Sequence, residues 1–107
     1  MIDDEEIQKA VDYLRDSAKK AAQARANRIY VEEYRKTIKA KLMKRTPDLA
    51  VSAQEREAYA DPEYHEHLEA IRAAVYNDEY ERFMRAAAEA KIEAWRTFQA
   101  NERAVKL

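Results

Sequence analysis

Basic side chains are concentrated in residues 19 to 45, where ten bases stand against two acids, a net charge of +8. Tyr30 and Tyr34 lie inside this stretch. Ammonium and guanidinium groups neutralise phosphates, and aromatic rings stack on unpaired bases, so this composition is typical of a surface that binds single-stranded nucleic acid. The bases are Lys19, Lys20, Arg25, Arg28, Arg35, Lys36, Lys39, Lys41, Lys44 and Arg45.

A second interpretation of the same charges is structural. If two helices run antiparallel, residues 19 to 45 lie beside roughly residues 60 to 85, and that segment is acidic. The available carboxylates are Glu63, Glu66, Glu69, Asp78, Glu79 and Glu81. In this case the bases form internal ion pairs and leave little free charge for a polyanion. Both alternatives stay open at the level of sequence.

The residue patterns of common catalytic and metal sites do not occur. His65 and His67 are two residues apart, which places them on opposite sides of a helix, where they cannot chelate one metal together. The chain has no cysteine, no glycine for a phosphate loop, no zincin spacing and no Glu-x-x-His pair. We therefore expect a protein that is not an enzyme, with no metal site and no cofactor.

The composition predicts helices as the elements that position these residues. The 107 residues include no Gly and two Pro, 38% are charged, and the mean hydropathy is −0.84. A sequence without Gly and rich in Ala, Glu, Lys and Arg is typical of an all-α protein, and this length corresponds to a single domain. The first residues are acidic and no apolar run approaches the ~20 residues of a membrane span, so we expect no leader peptide and no membrane contact.

Local signals divide the chain into four segments. Apolar residues recur at helical spacing over 3–45, and Pro47 ends that helix within a loop over 46–51. Ser52 begins a capping-box pattern for a short helix over 52–60, and Asp61 followed by Pro62 starts a second long helix over 62–104. Two long segments of similar length predict an antiparallel helical hairpin with a short connecting helix. Whether the short helix continues through a bend at Pro62 is left open.

The second long helix carries more large apolar side chains than a two-helix hairpin can cover. We predict that they pack the hairpin or lie between subunits, and that the chain forms a homo-oligomer whose helices make a multi-subunit bundle. The predicted packing residues are Leu68, Ile71, Val75, Tyr80, Phe83, Trp95 and Phe98.

Three short runs resemble a known group of proteins. They are residues 34–43 (YRKTIKAKLM), residues 52–60 (SAQEREAYA), and residues 91–97 (KIEAWRT) with Asn101. Over roughly residues 28 to 104 the chain resembles short helical phage and prophage proteins similar to the UvsY-like recombination mediators. The resemblance implies a multimer that binds single-stranded DNA in the cytoplasm of a bacterial host cell. It also implies a partner protein, namely a recombinase, an annealing protein or a single-strand-binding protein.

By this analogy the DNA contacts are Arg35, Lys36, Lys39, Lys41 and Lys44, to which we add Arg28 and Tyr34 of the same basic stretch. The first eighteen residues, with six acids against two bases, have no counterpart in the resemblance. The alternative function is a small phage-encoded helical protein-interaction module that acts as an adaptor or as an inhibitor of a host protein.

Overall fold

The computed structural model describes residues 2 to 106, and these form four helices without a strand. They are α1 (Asp4–Asp16), α2 (Ala18–Met43), α3 (Val51–Ala60) and α4 (Pro62–Lys106). The all-α prediction is confirmed. The described helices include none that is both long enough and apolar enough to cross a lipid bilayer.

Aspartates cap the N-termini of α1 and α4. The Asp3 carboxylate accepts the backbone N–H of Glu6 at 2.8 Å, and the Asp61 carboxylate accepts that of Glu63 at 2.8 Å. Both bonds satisfy donors that a helix leaves unpaired in its first turn. Pro62 occupies the first position of α4, where the absence of an N–H costs nothing.

The start of α3 differs from the predicted capping box. The N-cap residue is Ala50, which has no side-chain bond to the helix, and α3 begins at Val51 rather than after Ser52. The amide of Gln54 instead donates to the carbonyl of Leu49 at 2.9 Å. Asp61 is extended at ψ 136°, so α3 and α4 are separate helices.

The predicted helix over 3–45 is interrupted at Ser17, which separates α1 from α2. Ser17 has φ −89° and ψ −5°, in the bridge region between helical and extended backbone. The carbonyl of Leu14, one turn before α2, accepts a bond of 2.8 Å from Arg85 Nη1. A side chain that inserts into the ladder of backbone hydrogen bonds is a common cause of such interruptions.

The helices pack as two compact units. Unit 1 contains the described residues up to Ala22 and those from Glu79 onward, and unit 2 contains Gln23–Asp78. In unit 1, α1 lies antiparallel to α4 and buries Ile7 and Ala10. Glu81 is also buried there, and it receives Lys20 Nζ at 3.5 Å and the Tyr13 hydroxyl at 3.5 Å.

In unit 2, α2 runs antiparallel to the first part of α4 and is joined to it through α3, as the hairpin prediction requires. The buried apolar residues are Leu42, Ala58 and Ala74, one from each helix. Since two of the three are alanines, the helices approach closely but bury little apolar area. Within the part of the chain that the structure describes, no large side chain is fully buried.

The predicted packing residues differ in how far the single chain covers them. Ile71, Val75 and Trp95 are half-buried, whereas Phe83 is 71% exposed and Tyr80 is 51% exposed. Leu68 and Phe98 lie between these, at 39% and 36% exposure. A single chain therefore covers only part of the set, and its assignment to a subunit interface stays a prediction.

Candidate nucleic-acid interface

The basic stretch of residues 19 to 45 divides into bases that form ion pairs with acids outside α2 and bases that remain accessible. Arg28 belongs to the first group. Its guanidinium Nη1 lies 3.2 Å from the Asp78 carboxylate on α4, and its Nε lies 2.9 Å from Glu32 one turn away. The Asp78 side chain is only 7% exposed, so it needs this positive partner. The geometry gives Arg28 a structural role.

Lys39 and Arg45 also contact acids of other segments. Lys39 Nζ lies 3.5 Å from Glu55 on α3 and 4.9 Å from the centre of the Tyr59 ring. Hydrogen bonding to Tyr59 and the charge of Glu55 raise the pKa of Lys39 above its usual value. Arg45 lies 2.8 Å from Glu63 and 3.5 Å from Asp61, and the Glu63 bond raises the pKa of Arg45.

The accessible group is formed by the remaining predicted contacts. Within residues 2 to 106, neither the Arg35 nor the Lys44 side chain has a hydrogen bond or an ion pair. Lys36 pairs with Glu33 of its own helix at 3.4 Å, but both side chains are at least 70% exposed. Such solvent-exposed pairs contribute little free energy and exchange readily for another anion.

Two tyrosines and a lysine are placed together on one side of α2. The rings of Tyr30 and Tyr34 stack with centroids 5.8 Å apart and planes inclined by 17°. Lys41 Nζ donates to the Tyr34 hydroxyl at 2.9 Å and lies 5.4 Å from its ring centre. These residues are spaced by four and seven positions, which brings them onto one helical face. Lys44, just beyond the end of α2 and three residues after Lys41, completes what we call the tyrosine–lysine face: Tyr30, Tyr34, Lys41 and Lys44.

The two rings of this face have different surroundings. Tyr30 is 64% exposed, so one side of its ring is open to solvent. Tyr34 is half-buried, and its centroid lies 5.9 Å from that of His67 on α4. His67 Nε2 is 2.7 Å from the Val31 carbonyl, which can only accept, so Nε2 carries the hydrogen. His67 thus holds the Tyr34 ring in place, and Tyr34 in turn supports Tyr30.

Lys41 of this face keeps its positive charge. The hydrogen bond to Tyr34 raises the pKa of Lys41 above its usual value, because the phenol oxygen accepts from the ammonium form. Lys41 is therefore fully positive at neutral pH, and its ammonium group is held at the hydroxyl end of the Tyr34 ring. A phosphate that binds there meets a charge that is already oriented.

The predicted contacts do not form one continuous surface. At about 100° per residue, Lys36 and Lys41 lie about 140° apart around the helix. Arg35, Lys36 and Lys39 consequently point to another side of α2 than the tyrosine–lysine face. The ion-pair interpretation holds for Lys20, Arg28, Lys39 and Arg45, which pair with acids outside α2. Arg35, Lys36, Lys41 and Lys44 remain accessible, and their contact with nucleic acid stays a prediction.

Sequence reasoning missed the contribution of His67. The antiparallel register brings α4 beside α2, but no spacing rule indicates that a ring nitrogen will reach a backbone carbonyl 36 residues away. His65 is exposed on the other side of α4. In the described residues, no group of three His, Cys, Asp or Glu side chains is arranged to hold a metal ion.

No protein-family model, curated protein or solved structure matches this chain.

Proposed function

We propose that this chain is a non-catalytic, homo-oligomeric accessory protein that binds single-stranded DNA through the tyrosine–lysine face of α2. The observation that carries the proposal is the stacked pair of Tyr30 and Tyr34 with Lys41 hydrogen-bonded to the hydroxyl of the second ring. Exposed aromatic rings beside fixed positive charges are the combination that binds unpaired bases together with their phosphates.

Each residue of the face has a distinct role. Tyr30 offers the open side of its ring to a base, because 64% of the residue is exposed. Tyr34 and His67 support that ring from behind. Lys41 and Lys44 contact phosphates, and the face from residue 30 to residue 44 is about 21 Å long at 1.5 Å per residue. Contacts of this kind do not distinguish base sequence.

One copy of this face is a weak site, because it offers one open ring and two lysines. Several copies in one assembly raise the affinity, since a strand bound to the first site encounters the next at high local concentration. Homo-oligomerisation therefore belongs to the proposal. Arg35 and Lys36 lie on the other side of α2, where their positive charge attracts a further segment of the single-stranded DNA.

The role in recombination rests on the resemblance of residues 28–104 to UvsY-like mediators alone. It adds a recombinase, an annealing protein or a single-strand-binding protein as partner, and the cytoplasm of a phage-infected bacterium as location. A protein-interaction module is the second candidate. The ion pairs of Arg28, Lys39 and Arg45 favour it, because they reduce the charge available for DNA.

Fluorescence anisotropy with labelled poly-dT separates the two functions. We expect binding that weakens steeply as salt rises from 50 to 200 mM, since bound lysines release counterions from the strand. The variant Lys41→Ala/Lys44→Ala should lower the slope of log K against log salt by about 1.4, at about 0.7 per phosphate contact.

The matched control is Lys9→Ala/Lys91→Ala, which removes the same charge from two exposed lysines of unit 1. It should leave the slope nearly unchanged. Equal effects of the two double variants would mean that only net charge matters and would reject the face. No binding at 50 mM salt would reject DNA binding altogether and leave the protein-interaction module.

A further inference from the structure

An apolar stripe on α4 lies exposed in unit 1, beside the contact with α1: its residue Ala87 lines a groove together with Ala10 and Tyr13 of α1. It consists of Tyr80, Phe83, Ala87 and Ala90, spaced by three, four and three residues, so the four share one helical face. Tyr80 is 51% exposed, Phe83 is 71% exposed, and both alanines are exposed. The hydrogen bonds from α4 to α1 and to the end of α1 come from Glu81 and Arg85, which are not part of the stripe.

The sizes of the side chains along the stripe allow it to pack against the same stripe of a second copy. Its two aromatic residues precede its two alanines along the helix. If a second copy of α4 lies antiparallel with the two-fold axis near residue 85, Phe83 lies opposite Ala87 of the second copy and Tyr80 lies opposite its Ala90. Each ring then meets a small residue, twice, which is how a two-fold interface packs without collision.

The exposed apolar area of the stripe is compatible with a second copy of α4 as its partner. An aromatic side chain contributes 150–250 Å² when buried, so Tyr80 and Phe83 offer roughly 250 Å² per copy at their observed exposure. Two copies supply about 500 Å² from the rings alone, which is about half of the ~1,000 Å² that a specific interface needs. Met84, 42% exposed beside the stripe, and the alanine surfaces add to this area. The four stripe residues are uncharged, so they bring no like charges together.

We propose that α4 pairs with α4 of a second copy across this stripe, antiparallel and with two-fold symmetry. The proposal rests on the self-association contained in the proposed function, and it names the surface responsible. It does not depend on DNA, because the stripe lies in unit 1 whereas the tyrosine–lysine face lies in unit 2.

Sedimentation equilibrium without DNA tests the register of this interface. The wild-type chain should have the mass of two copies or a multiple of two. In Ala90→Tyr, the new ring at residue 90 lies opposite the Tyr80 ring of the second copy and overfills the contact. The dissociation constant of the pair should therefore rise on the order of tenfold or more. In Tyr80→Ala/Ala90→Tyr the sizes are exchanged at both contacts, so association should return toward the wild-type value.

Ala104→Tyr is the control, because it adds a ring at an exposed alanine of α4 outside the stripe, and it should not change the mass. Circular dichroism should show equal helix content in all variants, since residues 80 and 90 are exposed in the single chain. A wild-type mass of one chain overturns the proposal. So does an Ala90→Tyr variant that associates normally, or a swapped variant that stays as weak as Ala90→Tyr. Poly-dT binding by a single-chain variant would show that DNA binding stands without this interface.

Discussion

Arg85 of α4 donates through Nη1 to the carbonyl of Leu14 at 2.8 Å and to the hydroxyl of Ser17 at 2.9 Å. One guanidinium thus satisfies two acceptors at the point where α1 gives way to α2. Ser17 is 8% exposed, so water does not readily replace the arginine. This contact fixes α1 on α4 within unit 1.

We predict that Arg85→Met lowers the free energy of unfolding by about 1–3 kcal/mol, because the buried Ser17 hydroxyl and the partly buried Leu14 carbonyl lose this donor. Urea denaturation followed by circular dichroism measures the change. Arg82→Met is the matched control, since the pair of Arg82 with Glu79 lies on the surface, and it should change stability by less than about 1 kcal/mol. Equal losses in the two variants would show that the Leu14 and Ser17 contacts contribute nothing specific.

The pair of Arg28 and Asp78 gives a second stability prediction. Arg28→Ala leaves the buried Asp78 carboxylate without this guanidinium, and we expect a loss of about 3 kcal/mol. In Arg28→Ala/Asp78→Ala the orphaned charge is absent, so part of the loss should be recovered. A double-mutant cycle from thermal melts measures the coupling. Additive effects of the two substitutions would argue against a direct pair.

Tyr30 gives the most direct test of base stacking. We predict that Tyr30→Ala weakens poly-dT binding by about 1–3 kcal/mol, which is the range for loss of one stacked base. Tyr30→Trp should retain the affinity, because it keeps an aromatic face. Helix content should not change, since Tyr30 is 64% exposed. Unchanged affinity in Tyr30→Ala would remove the ring from the proposed site, whereas equal losses in both variants would point to the hydroxyl.

The raised pKa of Lys41 predicts how its contribution depends on pH. The folded protein holds this proton more tightly than the unfolded chain does, so the stabilisation is fully present below the unfolded pKa of about 10.5. It is lost as pH rises through the higher pKa of the folded state. The melting temperatures of wild type and Lys41→Met should therefore differ by a constant amount from pH 7 to 9 and converge above about pH 10. Convergence below pH 9 would contradict the contact with Tyr34.

Much of the secondary structure follows from neighbouring residues, and for that reason the sequence predicts it. The absence of Gly leaves helix as the favoured state, Asp3 and Asp61 cap the helices that follow them, and Pro62 occupies the first position of α4. The start of α3 was predicted less well, because Ser52 and Glu55 fit a capping box that Ala50 replaces as N-cap. Local signals compete there, and their energies are similar.

The sequence by itself determined that the chain is helical, that its bases cluster in residues 19–45, and that catalytic motifs do not occur in it. Only the tertiary structure decided which bases are paired, that Tyr30, Tyr34 and Lys41 share one face, and that Ser17 interrupts the first helix. The physical reason is distance along the chain. Arg28 meets Asp78 across 50 residues and Arg85 meets Leu14 across 71, and such contacts depend on the register of packed helices rather than on any local pattern.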